Sequence, residues 1–92
     1  MAKITVVPSE SEAYEVTVEE AGSATSHRVT ADPETLERLG PGRPPAAVIE
    51  ASFRFLLDRE PKESILRSFD LPVISRYFPD YETALGSYLR EY

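Results

Sequence analysis

Apolar and polar side chains alternate through the first third of the chain. Lys3 to Val7 (KITVV) is β-rich and stops at Pro8, which cannot continue a hydrogen-bond ladder. Ala13 to Glu19 sets Tyr14, Val16 and Val18 against Glu15, Thr17 and Glu19, the pattern of a half-buried strand. Ser26 to Ala31 alternates again, with His27, Val29 and Ala31 opposite Arg28 and Thr30, after a loop around Gly22. These segments predict an antiparallel β-hairpin, or a three-stranded meander if residues 3–7 join it. One face of that sheet is apolar, so another layer must cover it.

The cover begins at Asp32-Pro33-Glu34, which reads as N-cap, first helical residue and acidic first turn. Leu36 and Leu39 are its expected buried positions and Gly40 its C-cap. GPGRPP, residues 40–45, is a stiff connector. Residues 45–60 form the longest expected helix and the central one. Glu50, Arg54 and Asp58 make a narrow polar stripe at i, i+4 and i+8, while Val48, Ile49, Phe53, Phe55, Leu56 and Leu57 fill most of the remaining circumference. Such a helix is buried on several sides, within the domain or against a second copy of the chain. Three further helices are expected: Pro61 to Ser68 with Ile65, Leu66 and Phe69 inward; Pro72 to Phe78 with Val73, Ile74 and Tyr77 inward; and one from Pro79 to the end. Gly86 inside the last one suggests close packing there, because glycine weakens a helix interior.

The reading is therefore a single α+β domain over residues 1–92: an N-terminal sheet (1–31), then a helical part (32–92) of four to five helices. At 92 residues there is room for one modest core. Net charge is −6, with no Cys, no Trp and one His. That argues against disulfide-stapled domains, zinc ribbons and thiol enzymes. It also argues against affinity for nucleic acid resting on positive charge. The acidity is uneven: residues 1–42 are net −5 and residues 43–76 net +1. No apolar run is long enough for a membrane span. The absence of cysteine fits a reducing compartment, so a cytoplasmic location is expected.

No catalytic constellation emerges. His27 stands alone in a strand and cannot build a metal site without carboxylates gathered by the fold. Gly40-Pro41-Gly42 lacks the lysine of a phosphate loop, and Pro41 removes a backbone donor. The glutamates at 10, 12, 15, 19 and 20 read as a solvated face. The expectation is no enzyme, no cofactor and no metal.

Two patterns suggest contact surfaces. The near all-round apolar helix and the aromatic C-terminus point to Phe55, Leu57, Tyr81, Tyr88 and Tyr92, since tyrosine suits interfaces with its large, rigid, amphipathic ring. Residues 62–78 have the helix, turn, helix layout of a DNA-binding motif, which would use Arg67 and Arg76. Pro79 stops the second helix, and Asp80 and Glu82 follow at once and would repel phosphates.

The stretch SFRFLLDREPKESILRSFDLPVISRYFPDYE, residues 52–82, resembles a recurring segment of small uncharacterised bacterial and archaeal proteins, through FLLDREP, SIL, FDL and ISRYFPDY. The resemblance implies a prokaryotic source and a fold type, and it brings no ligand or site residue. A looser similarity in layout, without motif residues, is to small antitoxin-like regulators. The leading functional expectation is a non-catalytic protein-interaction or regulatory module, whose partner is another protein or a second copy of itself as a homodimer. A helix-turn-helix protein and an antitoxin-like regulator are the alternatives. Nucleic acid is disfavoured as a partner, and no membrane is expected.

Overall fold

The computed structural model describes residues 2–91. Strands β1 (Lys3–Pro8), β2 (Ala13–Glu20) and β3 (Ser23–Thr30) form an antiparallel meander. Helices α1 (Pro33–Leu39) and α2 (Pro45–Leu57) follow. The chain then returns as β4 (Ser68–Asp70), which lies parallel to β3 and completes a mixed sheet in the order β1-β2-β3-β4. Two helices end the fold, α3 (Val73–Tyr77) and α4 (Tyr81–Glu91). The architecture is α+β, an N-terminal sheet followed mainly by helices.

Register explains the alternation. Ile4 pairs with Val18 and Val6 with Val16; Val16 lies opposite His27, Tyr14 opposite Val29, and Val29 opposite Phe69. These side chains occupy the face on which α2 packs, with α4 resting on α2. The other face carries Thr5, Thr17, Ser26, Glu15, Arg28, Ser68 and Asp70 in cross-strand rows. There Arg28 bridges Glu10 and Glu15 at 2.6 and 2.9 Å, and Thr30 Oγ1 donates to Asp70 across the β3–β4 pair at 2.8 Å.

The β2–β3 turn is tighter than the expected loop. Glu20 pairs directly with Ser23, leaving Ala21 and Gly22 as a two-residue turn with φ of 57° and 80°. Two consecutive positive φ values match the right-handed twist of a hairpin. Glycine tolerates this conformation, whereas alanine bears a steric cost.

α1 starts as its sequence directs: Asp32 accepts a hydrogen bond from the Thr35 amide at 2.7 Å, and Pro33 opens the first turn. Gly40 follows, in a close-packed spot. A Cβ on Gly40 would meet Val48 Cγ2 at 2.7 Å and Leu89 Cδ1 at 3.3 Å. Gly86 is the reverse of the expectation: a Cβ there meets only Arg90 Nη1, at 3.7 Å.

The sequence reading placed a helix over Pro61–Ser68. The chain instead makes one 3-10 turn, Lys62–Ser64, and passes through bends at Ile65 and Arg67 into β4. The open edge of β3 accounts for the difference. Arg28 N–H donates to the Arg67 carbonyl at 2.7 Å, His27 Nδ1 bonds the Leu66 carbonyl at 2.8 Å, and Leu71 N–H donates to the Thr30 carbonyl at 2.8 Å. A helix through Ser68 would leave the carbonyls of its last turn, Leu66 and Arg67 among them, without intrahelical donors, whereas the non-helical return gives both of them partners on β3. Residues 62–78 accordingly lack the first helix of a helix-turn-helix, and the second has five residues.

α2 is covered within one chain. Val48, Ile49, Ala51, Ser52, Phe53, Phe55 and Leu56 are all buried. Its polar stripe forms as expected, with Arg54 and Glu50 paired at 3.1 Å. The shielding of α2 by the sheet and α4 removes the sequence-level reason for a second copy against it.

Candidate functional site

The proposed contact residues separate once placed in the fold. Phe55 and Tyr81 are both 0% exposed, so neither offers a surface. Phe55 is ringed by Phe78, Tyr81 and Tyr88 at centroid distances of 5.9, 5.3 and 5.9 Å, and the Arg59 guanidinium covers its face at 3.7 Å. The Ser52 hydroxyl donates to the Val48 carbonyl at 2.8 Å, so the Tyr81 hydroxyl is the donor in its 2.6 Å bond to Ser52. Burial holds the Tyr81 hydroxyl neutral, with its pKa raised well above the ordinary value. Leu57 and Tyr88 are half-buried, and the Tyr88 hydroxyl donates to Asp58. Tyr92 lies outside the described residues. Arg67 and Arg76 are both exposed, and neither has a hydrogen bond or ion pair to another side chain among the described residues.

His27 is a structural group. It is 1% exposed, lies against Phe53 with ring centroids 5.4 Å apart, and has partners at both nitrogens. A carbonyl can only accept, so Nδ1 carries the proton to Leu66, and Nε2 accepts from the Thr25 hydroxyl at 2.8 Å. Burial pushes its pKa below the ordinary 6.5, the Leu66 bond opposes that shift, and the Arg67 charge reinforces it. No group of three or more His, Asp or Glu side chains able to hold a metal occurs among the described residues.

The concave feature lies elsewhere. The end of α2 supplies Leu56 and, just beyond it, Glu60; the return segment supplies Ile65, Leu66 and Phe69; α3 and its exit supply Val73, Ile74, Tyr77 and Phe78. Together with Ser64 they line an open apolar cleft of about 200 Å³. Ile65 and Ile74 are buried and form its floor. Leu66 is 47% exposed and Tyr77 67%; with Val7 they are the exposed large hydrophobic side chains among the described residues, so two of the three belong to this cleft. Sequence reasoning placed both inward because helices were expected on either side. Leu66 lies in the non-helical return before β4 and stays exposed, and the five-residue length of α3 leaves Tyr77 at its exposed end.

One charged side chain lines the cleft. Glu60 is half-buried, its carboxylate has no hydrogen bond or ion pair among the described residues, and burial raises its pKa above the usual carboxylate value. The cations on either side of it are engaged elsewhere: Arg59 pairs with Asp80 at 2.8 Å and Lys62 with Glu63 at 2.9 Å. Of the β4 residues, Phe69 lines the cleft. Arg67, Phe69 and Leu71 direct backbone groups to β3, which leaves the Ser68 and Asp70 amides and carbonyls on the side away from it.

No helix among the described residues is long and apolar enough to cross a membrane. Comparison with protein-family models, with curated proteins and with solved structures gives no match.

Proposed function

We propose that this chain is a non-catalytic protein-interaction module whose contact site is the cleft between the end of α2, β4 and α3. The observation that carries the reading is the pairing of concavity with exposed apolar side chains: Leu66 and Tyr77 both line the cleft. Exposed apolar side chains clustered around a concave site are the usual mark of a place where a partner buries a side chain. The adjoining free edge of β4 supplies main-chain donors and acceptors, so an extended segment of a partner can pair with Ser68 and Asp70 while one side chain enters the cleft. The non-catalytic reading is supported by His27 and Tyr81, the buried groups with the most chemical potential, both of which are committed to internal hydrogen bonds.

The test is position-specific photo-crosslinking in cells. A benzophenone side chain replaces Tyr77 in one variant and Thr17, on the polar face of the sheet, in another. Discrete protein adducts at position 77 and not at 17 are the expected result. Equal adducts at both positions, or none at 77 at normal expression, would sink the assignment. The DNA-binding alternative through Arg67 and Arg76 draws no support from residues 62–78, which present one five-residue helix beside an extended edge.

A further inference from the structure

The cleft is apolar in its walls but not in its charge, and this limits what can occupy it. Glu60 is a half-buried carboxylate that lines the same cleft as Leu56, Phe69, Tyr77 and Phe78 and has no hydrogen bond or ion pair among the described residues. A carboxylate that has lost part of its hydration gains from a cation that reaches it. Among the described residues no cation pairs with it: Arg59 is held by Asp80 and the Phe55 ring, and Lys62 by Glu63. Arg67 and Arg76 are exposed and outside the lining. Aromatic ring faces favour an ammonium or guanidinium over an anion, and three of the ten lining residues are aromatic. A lysine or arginine side chain satisfies both requirements, since its methylene stem packs on apolar walls while its head reaches a carboxylate.

We infer that the cleft receives a basic side chain from an extended segment of a partner protein, its stem against Phe69 and Ile74 and its charged head on Glu60. This rests on the proposed reading of the cleft as the contact site and adds the chemistry of the anchor. An acidic anchor is rejected by Glu60, and a purely aliphatic one leaves the carboxylate unpaired.

Three blocked pentapeptides, acetyl-Gly-Ala-X-Ala-Gly-amide with X as lysine, norleucine or glutamate, separate the possibilities. Each is titrated to millimolar concentration into the full chain, with binding read from NMR shifts of Leu66, Phe69 and Ile74. Lysine and norleucine share a stem, so their ratio isolates the ammonium. The lysine peptide should bind roughly threefold to fivefold more tightly, the range for a partly exposed ion pair. Glu60→Gln should abolish that preference while leaving norleucine binding and the spectrum of the core unchanged. Norleucine or glutamate binding as tightly as lysine overturns the basic anchor but leaves the cleft as a contact site. A lysine preference that survives Glu60→Gln overturns the role of Glu60. Shifts at none of the three residues with any peptide overturn both the anchor and the contact site.

Discussion

His27→Leu tests how the buried histidine ties the return segment to the sheet. Leucine is close to histidine in volume, so the substitution removes two hydrogen bonds with little cavity. It leaves the Leu66 carbonyl and the Thr25 hydroxyl without the partners they have at 2.8 Å. A hydrogen bond contributes about 1 kcal/mol net, and with both partners only part-buried the cost of stranding them lies at the low end, about 1 kcal/mol. The added apolar burial returns part of this, so a net loss of about 2 kcal/mol is expected. The pH dependence is more diagnostic. Burial lowers the pKa of His27 in the folded state relative to the ordinary 6.5. The unfolded chain therefore binds the proton first as pH falls, and folded stability drops from pH 6.5 down to the lowered pKa. The limiting slope is about 1.4 kcal/mol per pH unit. His27→Leu lacks that slope, so the stability gap between the two proteins should narrow on going from pH 8 to pH 5. Urea unfolding of both proteins at half-unit pH steps measures the gap directly, because carboxylate titrations common to both cancel. A gap at pH 8 below about 0.5 kcal/mol, the size of an ordinary surface substitution, would refute the hydrogen-bond reading. A gap that stays constant or widens as pH falls would refute the neutral, desolvated histidine.

Three further predictions use the same unfolding measurement. Gly86→Ala should stabilise by about 1 kcal/mol because the site has room and alanine favours helix, whereas Gly40→Ala should destabilise by about 1–3 kcal/mol through the clash with Val48; effects of the same sign would contradict the packing described. Ala21→Asn should stabilise by about 0.5–1 kcal/mol by relieving a positive φ, and a loss would mean that the turn is not of the two-residue type. Tyr81→Phe should cost about 1 kcal/mol through the lost bond to Ser52, with no change expected in the cleft peptide titrations.

The sheet and the start of α1 were legible because each rests on local rules. The alternation of Tyr14, Val16 and Val18 sets a face, and Asp32-Pro33 sets a helix start. α2 was legible as a buried helix, but not what buries it, since periodicity does not show which layer lies opposite. β4 was not legible: three residues, Ser68–Asp70, have too little alternation to show, and their conformation is decided by the vacant edge of β3 far away in sequence. The cleft inherits that difficulty. It depends on Leu66 leaving a helix that the local sequence suggests and on Tyr77 standing at the end of a short one. Composition gives no sign of Glu60 as an isolated carboxylate, because Arg59 and Lys62 flank it in sequence and only the fold directs both to other acids.

The parallel return of β4 has a consequence for the order of assembly. β2 and β3 meet across a two-residue turn, so their pairing needs little loop closure. Thr30 and Asp70 are 40 residues apart, and all of α1 and α2 must be spanned before they meet. Loop-closure entropy places such contacts late. β4 should therefore dock onto a sheet already formed, and its few hydrogen bonds should open before those of the meander. Hydrogen exchange would show this as faster exchange at Leu71 N–H than at the central amides of β2, and equal protection would mean that the sheet opens as one unit. The walls of the cleft and the edge beside it are then the last part of the molecule to form and the first to be lost, so binding competence is more sensitive to mild destabilisation than the fold as a whole.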